Sequence, residues 1–464
     1  MKQILTLLLA IIPLLSWAKH DIEVGRIAYN LNEKTREAEV TYGYYDYVGE
    51  VVIPSSIKCE GITYSVTSIG DEAFLYSESL TSVTIPKSVT SFGECSFRGC
   101  CNLISINIPK SVTSIPNGLF AGCSKLSSIT IPKSVTSIGF GSFSGCESLT
   151  SIFIPKNVAS IENSIIGCSN LSSVIVDPRN PIYDSREGCN AIIETSTGKL
   201  IAGCKSTKLP NSINSIEDCA FAECVGLLSL DIPDGVTSIG TAAFQGCRNL
   251  THITIPNSVS TIGPQAFNGC YNLLSIDLPS NVTTIGWDSF RRCISLTSII
   301  IPNSVTKIEA YAFDSCCSME SITIGNKVQV IGFCAFKNCT RLKAVNITNL
   351  SAWCGIRYSY DLRRDLLLTG DEIGNPLYYA HHLFLNGEEI KDLVIPDDVS
   401  RIGDYAFYGG SGFTSLKIPK NITKIGLYAF YGCSGLTAIE MPNSGISIDS
   451  YAFHGCDGLA ATKK

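Results

Sequence analysis

The sequence predicts a repeat solenoid, an array of about fourteen units of 23 residues, with a parallel β-sheet on one face and short turns or helical turns on the other. Three observations carry this. A proline preceded by an apolar residue recurs at Pro86, Pro109, Pro132 and Pro155, from Pro210 through Pro233, Pro256, Pro279 and Pro302, and at Pro396, Pro419 and Pro442. Every step within a run is 23 residues, and Gly325 keeps the register without proline. Around each proline the same apolar places return, giving a consensus close to IPxSVTSIGxxAFxGCxxLTSIT. Charged residues are only 16% of the chain against 45% hydrophobic, which excludes a disordered chain, since that needs high charge and few large aliphatics.

The elements follow in chain order. Residues 1–18 read as an export signal: Lys2 is the positive start, Ile4 to Leu15 the apolar stretch, and Ser16-Trp17-Ala18 a cleavage site. Residues 19–62, rich in Tyr and Val (Tyr42, Tyr44, Tyr45, Tyr47), read as strands that cap the first unit, because a solenoid's open end needs covering. Units 1–5 occupy residues 63–176. Residues 177–209 form an island with a β-hairpin, in which Cys189–Ile193 and Leu200–Cys204 flank the turn Thr195–Gly198. Units 6–11 fill residues 210–347, an insertion at 348–395 takes the place of two units, and units 12–14 fill residues 396–464. Thr462, Lys463 and Lys464 replace the last strand's apolar residues, where charge blunts an exposed edge. After the leader no segment reaches eighteen apolar residues, so no membrane insertion is expected.

Positions within a unit are counted from its proline as zero. Leu at −6 (Leu103, Leu126, Leu149) and Ile at −3 and −1 (Ile106, Ile108) alternate with small polar residues, the period of a strand with one buried face. Proline then ends the strand where no ladder donor is needed. Val at +3 and Ile at +6 (Val135, Ile138) point a second extended piece inward, and Gly at +7 (Gly139, Gly240, Gly263) is expected to make a turn. Ala-Phe at +10 and +11 (Ala243, Phe244) is expected to open a short helical turn ending at the Gly-Cys of +13 and +14. One unit cannot bury this apolar set alone, whereas stacked units can.

The motif Ile131-Pro132-Lys133-Ser134-Val135-Thr136-Ser137-Ile138-Gly139, with Phe143, Gly145, Cys146 and Leu149 and its echoes, resembles the BspA-like leucine-rich repeats. The resemblance covers nearly all of residues 63–464. It implies a right-handed leucine-rich-repeat array, a secreted or bacterial surface location, and adhesion to host glycoproteins or other cells. It implies no catalytic residues. Departures are Gly325 for Pro, Gly410 for Cys, and a unit at 155–176 one residue short, with Ile166 where Phe belongs.

Of 21 Cys, twelve fall at +14: Cys100, Cys123, Cys146, Cys168, Cys224, Cys247, Cys270, Cys293, Cys316, Cys339, Cys433 and Cys456. A residue repeating with the unit reads as a core ladder, and free Cys packs as a small hydrophobe. One disulfide is proposed, Cys189–Cys204, because pairing Glu194 with Lys199 across the hairpin also opposes those two. No C-x-x-C occurs and no His lies at ligand spacing from a Cys, so neither metal nor cofactor is expected. With 35 Lys+Arg against 41 Asp+Glu, nucleic acid is excluded as a bulk-charge partner. His381-His382 with Cys354 and Asp365 is the nearest approach to a nucleophilic site, and a Tyr/His-rich loop packed on the array is the simpler reading. Gly141-Ser142-Phe143-Ser144-Gly145 only mimics a nucleophile elbow, since its centre is the core Phe.

The outward strand positions are −4, mostly Ser, and −2, which varies: Thr84, Asn107, Thr130, Phe153, Asp231, Thr254 and Asp277 among others. A polar floor beside one variable column suits contact with a protein or glycan ligand. Position +1 carries Lys87, Lys110, Lys133 and Lys156 in consecutive units, a basic stripe read as solvated lysines or as a docking strip for a sulfated glycan or acidic protein. Tyr405, Tyr428 and Tyr451 at +9, with Tyr408 and Tyr431 at +12, are expected to stack as columns. The expected function is a non-enzymatic, exported recognition protein, an adhesin binding glycoproteins through the solenoid face, with a carbohydrate-binding scaffold as the alternative.

Overall fold

A computed structural model describes residues 20–43, 46–358, 372–442 and 445–461. The leader, Tyr44, Tyr45 and Thr462–Lys464 lie outside the described residues. The chain divides into two compact blocks, Met1–Tyr183 and Asp184–Lys464. It is a parallel-strand β-solenoid of about sixteen turns, about 23 residues apart, with few helices.

A repeat builds as many as three ladders onto the next, and the one before proline is interrupted at 128–131 and 275–278. The residues before proline form a parallel sheet, as where Ser151–Ile154 pairs with Ser173–Val176. Positions +5 and +6 form a second, two-residue ladder, as in Ser137–Ile138 between Ser114–Ile115 and Ser160–Ile161. The third ladder is the segment expected to be a helical turn, and it is not one. Gln265 at +9 and Gly269 at +13 have φ of 59° and 75°, and the same two positions are left-handed in the next repeats, at Asp288, Arg292, Tyr311 and Ser315. A helical turn needs right-handed φ throughout. The alternation instead points N–H groups at the following repeat: Gln265, Phe267 and Gly269 donate to the carbonyls of Trp287, Ser289 and Arg291 at 2.8–2.9 Å. Backbone polar groups on this face are thus paired repeat to repeat.

Glycine at +7 also has a different reason from the expected one. Its φ is not left-handed; a Cβ on Gly240 would sit 2.5 Å from the Asp218 backbone nitrogen, and one on Gly263 2.6 Å from the Gly240 carbonyl carbon. Close stacking of backbones, not turn formation, selects glycine there.

In the first block, Ile22–Val24, Ile27–Asn32 and Glu37–Thr41 run antiparallel, and the last pairs in parallel with Ile62–Ile69. Gly49–Val52 pairs in parallel with Leu80–Thr84 and so begins the sheet ladder. In the second block, the hairpin Ala191–Glu194 and Lys199–Gly203 hands its second strand to Ser215–Ile216. The 348–395 segment continues both strand ladders: Arg357–Tyr358 extends from Val330–Ile331, and Leu383–Leu385 from Ala344–Ile347. Its Trp353 is fully buried, with the indole N–H donating to the Ala406 carbonyl at 2.9 Å.

The core is a set of columns. Phe74, Phe97, Phe120 and Phe143 stack in the first block at 4.8–5.9 Å between ring centroids. Phe221 through Phe336 stack in the second at 5.2–5.4 Å. All twelve +14 cysteines are buried free thiols. Each thiol for which a partner is resolved donates to the carbonyl of the preceding repeat's Phe, for example Cys270 to Phe244 and Cys293 to Phe267, both at 3.2 Å. Burial raises these thiols, Cys224 to about 12 and Cys270 well above the ordinary value. Cys317, by contrast, is exposed. A thiol reagent at pH 8 is therefore expected to modify native Cys317 while a thiol at about 12 reacts roughly three orders of magnitude more slowly. Comparable labelling of Cys224 and Cys317, seen by peptide mapping, would refute the ladder.

The hairpin corrects the proposed disulfide. Glu194 faces Lys199 and Ile193 faces Leu200 as expected, but a bulge at Ile201 shifts the register, so that Ile192 faces Ala202 and Ala191 faces Gly203. Cys189 and Cys204 are no longer opposed. Both are buried free thiols, the Cys204 sulfur donating to the Asn190 carbonyl at 3.3 Å. Ile166 is a second correction. Ile165 is the buried residue at the Phe place, because the missing residue of this repeat falls earlier, before the left-handed Asn163.

Candidate binding faces

The sheet ladder positions the −2 column by simple alternation. With Ile152 and Ile154 buried, Ser151 and Phe153 must face outward. In the first block this brings Thr84, Asn107, Thr130 and Phe153 into one exposed column. Two further members escaped the sequence reading. Val52, 67% exposed, lies beside Thr84, and Ile175, 49% exposed, lies beside Phe153. The alternating Ser-Ser-Val-Ile-Val at 172–176 was the available signal for Ile175, masked by the short repeat. Phe153 and Ile175 thus form an adjacent apolar pair in this column, which also begins with exposed Val52.

Asp231, Thr254 and Asp277 form the corresponding exposed column of the second block. There Thr254 donates its hydroxyl to Asp231 at 2.8 Å, and His252 contacts the same hydroxyl at 3.4 Å. These three positions are polar and two of them are hydrogen-bonded to each other, while the same outward column carries exposed Ile300 and Val394 further on.

The four lysines also fall where expected. Lys87, Lys110, Lys133 and Lys156 follow the strand ends in the first block, and all are exposed. Near them lies Asp177, whose carboxylate is held down at about 2, chiefly by hydrogen bonds from Arg179, with Lys133 adding to the effect.

The tyrosines form two parallel columns in the second block. Tyr405, Tyr428 and Tyr451 stack at 5.0–5.4 Å within 9° of parallel, and Tyr408, Tyr431 and His454 stack beside them at 5.0–5.3 Å. The inner rings cover one another's faces. Sugar stacking needs a free ring face, so the columns act as packing.

The residues of the weighed nucleophilic site are otherwise engaged. Cys354 is buried and its thiol is pushed up to about 12, the reverse of activation. His381 meets the Gly409 carbonyl at 2.8 Å and His382 meets Glu389 at 2.6 Å, while Asp365 lies outside the described residues. Among the described residues no group of three or more His, Cys, Asp or Glu is placed to hold a metal ion. No helix among them is long and apolar enough to cross a membrane.

The family model for BspA type leucine rich repeat regions matches residues 61–184, 199–317, 306–355 and 379–463, in six copies. The chain belongs to the BspA-type leucine-rich repeat family. Solved structures of other bacterial proteins share its fold. A leucine-rich repeat protein from Bacteroides ovatus is 26% identical over 95% of this chain and 93% of its own, with a TM-score of 0.50. A leucine rich cell surface protein from Faecalibacterium prausnitzii is 26% identical over 75% of this chain and 100% of its own, with a TM-score of 0.51. The pneumococcal vaccine antigen PcpA, 19% identical with a TM-score of 0.51 over 79% of this chain and 97% of its own, shows the same fold. None of the curated proteins matches this BspA-type chain.

Proposed function

We propose that this chain is a non-enzymatic recognition protein, exported by its first eighteen residues, that holds a protein or glycoprotein partner at the cell surface through the open sheet face of its first block. The observation that carries the reading is the −2 column. Thr84, Asn107, Thr130, Phe153 and Ile175 vary and stand exposed beside a column of serines. A rigid sheet with one variable outward column presents different chemistry on a fixed frame, and Phe153 beside Ile175 supplies the apolar anchor that interface hot spots need. The surface location draws support from the Faecalibacterium relative, described as a cell surface protein. The engaged state of Cys354, His381 and His382 supports the non-enzymatic part.

The test is binding to a panel of purified extracellular-matrix glycoproteins, each intact and deglycosylated. Phe153→Ser with Ile175→Ser is expected to weaken binding at least tenfold, the loss of one anchor pair, with thermal unfolding unchanged. Undiminished binding by the double variant would remove the sheet face from the reading. Binding that vanishes on deglycosylation would assign the face to glycan capture instead.

A further inference from the structure

We propose that a linear sulfated polysaccharide docks along the lysine column Lys87, Lys110, Lys133 and Lys156 of the first block. This site goes beyond the sheet-face reading and does not depend on it.

All four side chains are exposed, and the column makes no ion pair among the described residues. The nearby acid that acts on it is Asp177, beside Lys133. The segments that surround them on the two strand ladders, 82–92, 105–115, 128–138 and 151–161, contain no Asp or Glu, and the lysine is the only charged residue in each. The matching segments 229–239, 275–285 and 392–402 of the second block carry Asp231, Asp234, Asp277, Asp392, Asp397 and Asp398. Segments 206–216, 252–262, 298–308, 321–331 and 415–425 of the second block also lack Asp and Glu. Lysine at +1 in consecutive repeats occurs only in the first block, however, and Lys307, Lys417 and Lys424 of those segments are ion-paired to Glu309, Glu440 and Asp449. On a chain of net charge −6, four consecutive repeats of unpaired positive charge are a local reversal of sign. Asp177 cannot quench it, since Arg179 already takes both its carboxylate oxygens at 2.9–3.0 Å.

The backbone beneath the lysines is pinned. The Ser111 hydroxyl donates to the carbonyls of Val89 at 2.5 Å and Lys87 at 3.3 Å, Ser134 donates to Val112 at 2.6 Å, and the Asn157 amide donates to Lys133 at 2.7 Å. The four lysine backbones therefore follow one another at the ladder spacing of about 4.8 Å, some 14 Å from first to last, with the exposed stems free to adjust to a ligand. Like charges so placed repel, and an anion running along the line relieves that repulsion.

The chemistry favours a sulfated polysaccharide over an acidic protein. Lysine is a point charge that suits sulfate without demanding the planar, two-pronged geometry of arginine. The flanking +2 and +4 positions are Ser, Thr, Asn or Ala, namely Ser88, Ser111, Ser134 and Asn157 beside Thr90, Thr113, Thr136 and Ala159. These are small side chains, and Thr90, Ser111, Ser134, Thr136 and Asn157 already donate to backbone carbonyls, so the lysines alone carry the recognition. The flanking residues offer none of the large apolar anchors that the centre of a protein interface requires.

Heparin is the probe, applied to the full exported chain at 50 mM salt. The variant Lys87→Asn, Lys110→Asn, Lys133→Asn, Lys156→Asn should fold, since later repeats hold Asn211, Asn257, Asn303 and Asn326 at this position. Its affinity is expected to fall about thirtyfold, the product of four ion pairs each contributing roughly 1.4- to 5-fold. The fourfold Lys→Arg variant should keep the affinity. A variant with the same net charge, replacing exposed Lys125, Lys208, Lys327 and Lys420 by Asn, should stay within about twofold of the parent, and binding should be lost near 1 M salt, where the Debye length is about 3 Å. Absence of heparin binding at 50 mM salt, an equal loss in the two Asn variants, or binding of polyglutamate as tight as that of heparin each overturns the proposal. None of these outcomes bears on the sheet face, whose Phe153 and Ile175 remain untouched.

Discussion

Replacing Phe267 by Ala is expected to cost the second block about 3–5 kcal/mol, the range for emptying a fully buried aromatic site. The ring is 0% exposed and lies between Phe244 at 5.3 Å and Phe290 at 5.4 Å, nearly parallel to both. The site resists collapse, because the surrounding backbone is held by hydrogen bonds to its neighbours. The Phe267 amide donates to Ser289, its carbonyl accepts from the Cys293 thiol, and the flanking strands are tied to their neighbours. The damage should be local, since a repeat touches mainly its neighbours. Hydrogen exchange is expected to lose protection in the repeats from about Pro233 to Pro302 and to retain it around Phe407 and Phe430. Uniform loss of protection across the second block would show that it unfolds as one cooperative unit.

That locality also explains which parts of the fold were legible in the sequence. A column such as Phe244, Phe267 and Phe290 appears as a period, because each member meets an equivalent environment. The period cannot display compensation between columns. Gly410 stands where cysteine belongs, and a Cβ on it would lie 2.5 Å from the ring of Phe413, which fills the place of the usual Leu. Phe413 packs edge-to-face on Phe407 at 5.7 Å. The two departures are one exchange of volume between neighbouring columns. Ile201 is similar: one residue bulged from a strand moves Cys189 out of line with Cys204, and nothing in the alternation of the hairpin marks it. The turn face was misread for a further reason. Ala-Phe followed by Gly-Cys is compatible with a helical turn locally, and hydrogen bonding to the next repeat decides for alternating left-handed residues instead.

The candidate faces divide along the same line. The lysine column and most of the −2 column were legible because position arithmetic alone places them. Val52 was not, since its strand lies outside the proline register. Ile175 was not, since its repeat is short. Their neighbours Thr84 and Phe153 were correctly placed, but only strand pairing reveals that Phe153 has an apolar companion.

The cysteine ladder leads to the largest expected effect, a steep loss of stability in mild alkali. In the second block, burial raises Cys224, Cys247, Cys270, Cys293, Cys316, Cys339, Cys433 and Cys456, with Cys456 at about 11, Cys224 at about 12 and the others well above the ordinary thiol value. In the unfolded chain a thiol titrates near 8.5. Below that pH both states hold every thiol proton, and the stabilisation is fully present. Above it the unfolded chain releases protons that the folded chain retains, so stability falls with rising pH until the folded thiols themselves titrate. Each thiol contributes a slope of about 1.4 kcal/mol per pH unit, and these eight together give about 11 kcal/mol per unit. A domain's whole stability is about 5–15 kcal/mol. Complete unfolding of the second block should therefore become easier by about 11 kcal/mol per pH unit above 8.5, and a local opening over three repeats by about 4 kcal/mol per unit. Urea unfolding of the reduced protein between pH 8 and pH 10 measures the slope directly. Replacing Cys247, Cys270, Cys293 and Cys316 by Ala removes four of these thiols and should cut the slope by about 5 kcal/mol per pH unit, even though smaller side chains lower the stability at every pH. The slope, rather than the midpoint, separates proton linkage from lost packing. A flat stability profile to pH 10, or an unchanged slope in the fourfold variant, would mean that the ladder thiols ionise as readily in the folded chain as in water.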